Sequence, residues 1–221
     1  MPASATTPRI RDADRSRVAI LEAAETLFAE RGFDGASLGD IAAAAGLSRG
    51  TPSYFYGSKE QLYRAVLSRV FEEREQATAA AFEPLMAWTA AEDARASLDT
   101  VLRKAVEGYM AFLLARPAFV RLVEWEELTG GRRLREAPRR SRAIGDAFTA
   151  LRGVARRRGL RIFRVDDAVV LFVSLTFSPI AQRSTFMASV GRDLEDPATM
   201  RRHVKLVVSQ LVAFVAGDRR A

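Results

Sequence analysis

Hydrophobic positions recur along most of the chain at the three- and four-residue spacing of amphipathic helices. The first such pattern covers residues 12–31, and its apolar face comprises Ile20, Leu21, Ala24, Leu27 and Phe28. Gly32 is expected to end this helix, because glycine closes helices at low steric cost, and Phe33 to pack back against it. The pattern therefore predicts an N-terminal helix with one buried face.

The pattern continues to predict helices after Ser58. Ser58 opens a long helix that runs to about Ala81, with Gln61 at the position that completes a capping box. The β-branched stretches 168–177 and 204–215 would also suit buried strands, but their length and helical surroundings favour helices. We predict an all-α fold of about nine helices, and the segments after the long helix are 93–115, 117–128, 138–159, 166–187 and 197–216.

Residues 37–56 carry the most informative pattern, two very short helical segments on either side of a glycine turn. Ser37 and Asp40 have the spacing of an N-terminal cap, in which the carboxylate also suits the positive end of the helix. Ile41 and Ala42 are expected to point inward, and the small Ala42 lets the second segment come close.

The second half of this pattern sets the angle between its two helices. Gly46 is expected to make the turn and Leu47 to fill the core, after which Ser48 caps a helix that runs to about Phe55. Helices this short are not stable alone. Their use is to hold the second helix at a fixed angle, which is the helix-turn-helix arrangement that places a helix in the DNA major groove.

Composition narrows the possible classes of protein. The chain has 221 residues, 48% of them hydrophobic, which is enough for a sizeable core in one large or two small domains. It has no cysteine, which excludes disulfides, thiolate zinc sites and cysteine nucleophiles. The sequence has no apolar run long enough to span a bilayer and no signal-peptide pattern, so we expect a cytoplasmic protein.

The net charge of +7 is not the ground for expecting nucleic-acid binding. Residues 1–60 hold seven Lys or Arg against eight Asp or Glu, whereas Arg132–Arg164 holds twelve arginines and two acids. We interpret this Arg-rich region as an exposed face and loop. The alternative is that it binds an acidic ligand or contacts DNA nonspecifically. The competing class is a helical adaptor that binds a protein or acidic partner through this region, which leaves the 37–56 pattern unexplained.

No constellation of residues indicates an enzyme or a metal site. The single histidine, His203, has no partners for catalysis or metal binding, and we expect it on the solvent or dimer side of the last helix. The sequence has no Gly-rich phosphate loop and no supported pair of carboxylates. We predict no catalytic residue, no metal and no cofactor.

Positions within residues 17–67 form one long pattern: Arg17-x-x-Ile20-Leu21-x-Ala23-Ala24-x-x-Leu27-Phe28, Gly32-Phe33, Ser37-Leu38-x-Asp40-Ile41-Ala42-x-x-Ala45-Gly46-Leu47-Ser48-Arg49-Gly50-Thr51 and Tyr54-Phe55-Tyr56-x-Ser58-Lys59-Glu60-x-Leu62-Tyr63-x-Ala65-Val66-Leu67. This pattern resembles the TetR family of bacterial transcriptional regulators. The resemblance implies a helix-turn-helix DNA-binding domain (11–57) and a helical domain for regulation and dimerisation (58–221), after an arm (1–10) whose Pro-, Thr- and Ala-rich composition predicts disorder. It also implies a homodimer that binds a palindromic double-stranded operator, acts as a repressor and is released by a small-molecule effector.

The resemblance also implies which residues contact DNA. Arg49 is the candidate for a base edge, because its guanidinium fork can pair with guanine O6 and N7. Thr51 and Tyr54 are expected to bond phosphates, as is Lys59 at the start of the long helix. Arg9, Arg11 and Arg15 are expected to reach the backbone or the minor groove. The full set on the motif is Ser37, Arg49, Gly50, Thr51, Ser53, Tyr54, Tyr56 and Lys59.

The chain departs from the family pattern at Pro52 and Ser53, where relatives commonly carry an aliphatic residue followed by an aromatic one. Pro52 lacks the N–H that would bond back to Ser48, although proline is tolerated in a first helical turn. Ser53 cannot make the contact of an aromatic hydroxyl. The sequence leaves open whether these two positions make the DNA contacts that are usual in the family.

The C-terminal half is expected to bind a small molecule and to dimerise. The residues expected to line its pocket are aromatic, with plain core as the alternative: Trp88, Phe112, Trp125, Phe148 and Phe172. Glu124, Glu126 and Glu127 are candidate polar groups of that pocket. Two helices that are apolar nearly all round need cover on several sides, which a four-helix bundle of two copies supplies. The expected interface residues are Val169, Phe172, Val173, Val204, Val208, Leu211 and Val215.

Overall fold

The computed structural model describes residues 7–91, 96–136, 142–157 and 162–216. Within these ranges the chain is all-α, as the hydrophobic spacing predicts, and the β-branched stretches near the C-terminus are helical. A π-helical turn, Arg183–Met187, follows the ninth helix. The helices are α1 (Thr7–Gly35), α2 (Leu38–Ala44), α3 (Thr51–Tyr56), α4 (Lys59–Ala90), α5 (Leu98–Ala115), α6 (Pro117–Leu128), α7 (Arg132–Glu136), α8 (Ala143–Arg157), α9 (Val165–Ala181) and α10 (Pro197–Ala216).

Helix α1 differs from the expectation at its start and agrees with it at Gly32. It begins at Thr7, so residues 7–10 of the expected disordered arm are helical; residues 1–6 lie outside the described ranges. Gly32 interrupts the helix with φ +70° and ψ 178°, a conformation that favours glycine. Phe33 then packs back, with its ring centroid 5.1 Å from that of Tyr63.

Helix α4 is longer than its sequence pattern predicts. It continues through Pro84 to Ala90 instead of ending near Ala81. A proline inside a helix removes one backbone hydrogen bond. Its neighbours Phe82 and Leu85 are fully buried, and burial of two such side chains outweighs that loss.

The chain divides into two compact units. The N-terminal unit comprises Met1–Phe71 and Arg121–Arg139, and the C-terminal unit comprises Glu72–Val120 and Arg140–Ala221. The first unit thus extends past the expected boundary at residue 57, since it includes the first turns of α4, the end of α6, and α7. Each of the helices α4 and α6 therefore carries residues of both units.

The two units have separate cores. In the N-terminal unit the largest fully buried side chains include Ile20, Phe28, Ile41, Leu62 and Tyr63, contributed by α1, α2 and α4. In the C-terminal unit α10 packs mainly on α5, and α9 packs on α5, α8 and α10. Four aromatic side chains of this unit, described below, meet between α4, α5, α8 and α9.

Candidate nucleic-acid interface

The first helix of the motif is capped as the sequence predicts. The Ser37 hydroxyl accepts a hydrogen bond from the Asp40 backbone N–H at 3.1 Å, and the Asp40 carboxylate accepts one from the Ser37 backbone N–H at 3.1 Å. Hydrogen bonds from the Ser37 hydroxyl and backbone hold the pKa of Asp40 below its ordinary value. This reciprocal cap fixes where α2 begins.

The turn between α2 and α3 also follows the prediction. Gly46 has φ +68°, and the backbone N–H of Leu47 donates to the Ala42 carbonyl at 2.9 Å, which closes α2. Ile41 and Ala42 are buried, as expected, whereas Leu47 is only half-buried.

The start of α3 was predicted wrongly. Ser48 does not cap the helix; Gly50 is the N-cap residue and makes no side-chain cap, and Arg49 lies in the turn before the helix. The Ser48 hydroxyl instead lies 2.7 Å from the Thr51 hydroxyl. Because α3 begins only at Thr51, Pro52 falls in its first turn, where no intrahelical bond needs its missing N–H.

Three candidate side chains of the motif are exposed together on and next to α3. Arg49 and Ser53 are exposed, and Tyr54 is 83% exposed. Arg49 lies across Gly39 of α2, where a Cβ would be 3.5 Å from the Arg49 Nε. The Tyr54 ring makes an edge contact with Phe55 at 5.1 Å. We call Arg49, Ser53 and Tyr54 the exposed face of the motif.

Tyr56 has a different position from the one expected of a DNA contact. Its hydroxyl donates to the Arg17 carbonyl of α1 at 3.0 Å, and burial raises the pKa of this phenol. The Arg17 guanidinium lies 5.2 Å from the centroid of the Phe55 ring. Phe55 and Tyr56 therefore join α3 to α1, and the donor of Tyr56 is not directed at a ligand.

Lys59 is the first residue of α4, as predicted. Ser58 and Gln61 form the expected capping box, with hydrogen bonds of 2.9 and 3.2 Å. Gly57 precedes them with φ +75°, and a Cβ there would lie 2.1 Å from the Gln61 side-chain oxygen. The Lys59 ammonium is 4.4 Å from the centroid of Phe33, and the Arg133 guanidinium is 3.8 Å from the same centroid.

Of the expected arm residues, Arg15 is exposed and lies 3.8 Å from Asp12, one turn back on α1. The side chains of Arg9 and Arg11 lie outside those that the structure describes.

Two expected pocket residues, Trp125 and Glu126, belong to the N-terminal unit instead. The Trp125 indole N–H donates to the Ala29 carbonyl of α1 at 3.1 Å. Glu126 is 1% exposed and accepts hydrogen bonds from the Tyr63 hydroxyl and the Leu134 backbone N–H, both at 3.0 Å. Tyr63 follows Leu62 in the family-like pattern, but the pattern does not reveal its partner on α6.

The other four expected pocket residues, all in the C-terminal unit, make three separate sets of contacts. Phe148 and Phe172 meet each other at 6.1 Å in the C-terminal core. Trp88 donates its indole N–H to the Ala96 carbonyl at 2.8 Å, and Phe112 contacts Phe119 at 5.5 Å. Within the C-terminal unit, Trp88, Phe112 and the Phe148–Phe172 pair therefore contact different neighbours.

Sequence reasoning missed two members of the aromatic cluster. Phe82 lies 5.1 Å and Tyr109 5.2 Å from the Phe172 ring centroid, and both are buried. Burial raises the pKa of Tyr109, and the buried Arg74 lies beside its hydroxyl. Phe82 lies one residue past Ala81, where the helix was expected to end, and this hid it. We call Phe82, Tyr109, Phe148 and Phe172 the aromatic cluster.

Five of the seven expected dimer-interface residues face the chain's own core. Val169 and Val173 are half-buried, which leaves part of each accessible. The other five are covered by neighbouring helices of the same unit, mainly because α10 packs on α5: Phe172, Val204, Val208, Leu211 and Val215. This part of the expectation was wrong, because an apolar residue on a terminal helix can be covered by the same chain.

His203 was also expected on the wrong side of its helix. It is buried, and its Nε2 lies 2.8 Å from the Leu175 carbonyl of α9. A carbonyl only accepts, so Nε2 carries the proton in this hydrogen bond. His203 is thus a core residue that joins α10 to α9.

Several arginines of the Arg132–Arg164 region make contacts within the chain; residues 137–141 and 158–161 of it lie outside the described ranges. Arg135 donates to the Gly130 carbonyl at 2.5 Å and Arg157 to the Thr89 carbonyl at 3.2 Å. Arg164 pairs with Asp166 at 2.5 Å. These three arginines therefore make contacts within the chain.

The described residues contain no group of three or more His, Asp or Glu that could hold a metal ion. In the same ranges, no helix combines the length and apolar character needed to cross a membrane.

The capped α2, the Gly46 turn and the exposed face of the motif on and next to α3 define a helix-turn-helix protein. The family model described as "Bacterial regulatory proteins, tetR family" matches residues 20–66. The model described as "Tetracyclin repressor-like, C-terminal domain" matches residues 99–211, half of the chain. The chain therefore belongs to the TetR family, and it is a transcriptional regulator with a DNA-binding domain.

Individual relatives agree with this assignment. The chain is 28% identical over 195 residues to the HTH-type transcriptional repressor NicS of Pseudomonas putida, which covers 85% of this chain and 86% of NicS. It is 40% identical over 67 residues to the HTH-type transcriptional regulator RutR of Escherichia coli, covering 30% of this chain and 32% of RutR.

Solved structures share the fold over nearly the whole chain. A TetR family transcription regulator from Marinobacter aquaeolei is 26% identical with a TM-score of 0.62, covering 94% of this chain and 98% of that one. HlyIIR, a hemolysin II transcriptional regulator, is 18% identical with a TM-score of 0.59, covering 93% of this chain and 99% of that one.

Proposed function

We propose that this protein is a ligand-responsive repressor that binds a palindromic operator as a homodimer and leaves it when a small molecule binds. The observation that carries the proposal is the exposed face of the motif, Arg49, Ser53 and Tyr54, beside a firmly capped α2. NicS, with which the chain aligns over most of its length, is by its name a repressor, and this supports repression rather than activation.

The residues of the motif divide between reading bases and binding phosphates. Arg49 has the exposure and the guanidinium geometry to pair with a guanine edge. Tyr54, Thr51 and Lys59 are suited to phosphate, which positions the protein without specifying sequence. Gly50 lies between Arg49 and Thr51 in the chain, and Ser37 caps α2, whose Gly39 lies beside Arg49. The backbones of Ser37 and Gly50 complete the proposed surface. Tyr56 supports α3 from within the unit.

The proposed dimer surface uses the outward faces of α9 and α10. Val170 is 64% exposed and Leu206 44% exposed, and Val169 and Val173 are half-buried beside them in sequence. Exposed aliphatic side chains on the two C-terminal helices are consistent with a partner helix pair. A two-fold dimer presents two motifs to two half-sites, so the operator would be palindromic.

The aromatic cluster is the proposed effector region. Its rings offer apolar surface, while the Tyr109 hydroxyl and the Arg74 guanidinium offer polar groups that could orient a ligand. A molecule that binds one conformation of this unit better shifts the population toward that conformation. Helix α4 carries residues of both units and is the proposed route by which the shift reaches DNA affinity.

The test is selection of DNA by the purified full chain. Fragmented DNA of the source genome is incubated with the protein, bound fragments are sequenced, and the same is done with Arg49→Ala. We expect enrichment of a short palindrome that weakens in the variant, followed by release when a small-molecule library is screened against the complex. Enrichment of no sequence, or a binding preference that only follows DNA length, would contradict the proposal.

A further inference from the structure

The end of α6 is attached to two different helices of the N-terminal unit by adjacent residues. Trp125 reaches α1, where its indole N–H satisfies the Ala29 carbonyl at 3.1 Å. The last carbonyls of a helix lack an intrahelical donor, so this bond supports the end of α1 where Gly32 breaks it. A Cβ at Gly32 would lie 3.0 Å from the Trp125 ring, which shows how closely the indole covers the break.

Glu126, the next residue, reaches α4 and α7. One carboxylate oxygen accepts from the Tyr63 hydroxyl of α4 and the other from the Leu134 backbone N–H of α7, each at 3.0 Å. Arg133 lies 4.0 Å from the same carboxylate. Taking a carboxylate out of water is costly unless its oxygens are paired, so this buried group tolerates little change in the position of α4.

Burial and the neighbouring Glu126 charge both raise the pKa of Tyr63, so its hydroxyl remains a hydrogen-bond donor throughout the neutral pH range.

The helices that Trp125 and Glu126 hold are those that support the exposed face of the motif. Helix α1 accepts the Tyr56 hydroxyl from α3, and α4 begins at Lys59, three residues after α3 ends. Trp125 is half-buried and Glu126 is buried, so neither side chain belongs to that exposed face. Their contacts fix the ends of α1 and α4 from the inside of the unit.

We propose that Trp125 and Glu126 are positioning residues for operator binding, which act by holding α1 and α4 in the arrangement that places Arg49 and Tyr54 relative to Lys59. The inference rests on the proposed DNA-binding function and adds residues outside the helix-turn-helix. Directional contacts to bases require placement within about 0.5 Å. Nonspecific binding depends on the number of neutralised phosphates and is insensitive to such placement.

Two mild substitutions and two matched controls test this. Trp125→Phe removes the indole N–H and keeps an aromatic ring, and Glu126→Gln removes the charge and keeps one acceptor. The control Trp88→Phe removes an indole N–H that also bonds a carbonyl, that of Ala96, in the C-terminal unit. The control Glu75→Gln changes a carboxylate that likewise accepts backbone N–H groups, from Arg142 and Ala143 at 2.9 and 2.8 Å.

The readouts are the Kd for the selected operator, the Kd for scrambled DNA of equal length, and the Tm. We expect Trp125→Phe and Glu126→Gln to weaken operator binding by about tenfold, the scale of a typical coupling between sites, with scrambled DNA unchanged. Both controls should leave both Kd values unchanged. Tyr63→Phe removes the donor to Glu126 and should also weaken operator binding, and its effect should be less than additive with that of Glu126→Gln, because the two side chains form one contact.

Equal weakening on operator and scrambled DNA, or losses that follow Tm in controls and variants alike, would show a structural role only and overturn the inference. Wild-type protein that selects no DNA would overturn the proposed function, and the inference with it. If the wild type selects its operator and the operator Kd of Trp125→Phe and of Glu126→Gln equals that of the wild type, the inference alone would be overturned.

Discussion

Different kinds of contact are prominent inside the N-terminal unit and inside the C-terminal unit. The N-terminal unit depends on directional polar contacts at helix ends, such as the Ser37–Asp40 cap and the Trp125 indole on α1. The C-terminal unit depends on packed side chains, with Phe172 in contact with three other aromatic rings. Directional contacts at helix ends fix where each helix of the N-terminal unit begins or ends, and so hold the exposed face of the motif in a defined shape.

The largest expected effect compares two leucines of α10 that differ in exposure. Leu211 is 0% exposed, so Leu211→Asp places an unpaired carboxylate in the core and should cost about 4 kcal/mol or more of unfolding free energy. Leu206→Asp should leave the fold intact and give monomers. Urea unfolding and sedimentation measure the two effects. A Leu206→Asp protein that remains a dimer would contradict the proposed surface on α9 and α10.

Arg49→Ala should cost about 1–3 kcal/mol of operator binding and relax the preference at one base pair, if Arg49 reads a base. Fluorescence anisotropy with the operator and with single-base variants measures this. The control is Arg121→Ala, which removes the same charge from an exposed position on α6 of the same unit. An equal loss on every sequence would make Arg49 a phosphate contact.

Lys59→Ala should weaken binding to all DNA sequences alike and lower the slope of log K against log salt by about one. The same substitution removes the cation from the Phe33 ring, worth about 0.5–1 kcal/mol of stability at such a site. Titrations at several salt concentrations separate the two effects, with Lys104→Ala in the C-terminal unit as the control for charge. A salt slope identical to that of the wild type would rule out phosphate contact by Lys59.

The smallest expected effect is the pH dependence of the α2 cap. The folded-state pKa of Asp40 is lowered by its bonds to Ser37, so the carboxylate stabilises α2 above its ordinary pKa. That contribution is lost as pH falls through the lowered folded pKa. Asp40→Asn should therefore speed amide exchange in α2 at about pH 7, and the difference from wild type should shrink as pH falls below the ordinary pKa of Asp and through the lowered folded-state pKa. A difference that persists in acid would assign the effect to something other than charge.

The sequence predicted the local features of the motif because each depends on residues a few positions apart. The Ser37–Asp40 cap, the Gly46 turn and the Ser58–Gln61 cap are of this kind. The predicted start of α3 was two residues too early, because Ser48 is a residue type that often caps helices. In the structure its hydroxyl lies beside the Thr51 hydroxyl instead.

The tertiary contacts could not be predicted in this way. The spacing of Val208 and Leu211 shows that one face of α10 is apolar, but not that α5 of the same chain covers it. The contact of Trp125 with Ala29 joins residues 96 positions apart, and no local pattern encodes it. The expected dimer face of α10 was wrong for this reason, because the same chain buries its residues. The candidates of the exposed face did not depend on distant helices.

The most direct test of the central claim is binding of the purified chain to DNA from upstream of its own gene, against scrambled DNA of equal length, at two salt concentrations. The account predicts selective, salt-sensitive binding with two protomers on each site. Equal and weak binding to both DNAs, repeated on the fragments that genomic selection recovers, would contradict the claim that Arg49, Ser53 and Tyr54 form a sequence-reading surface.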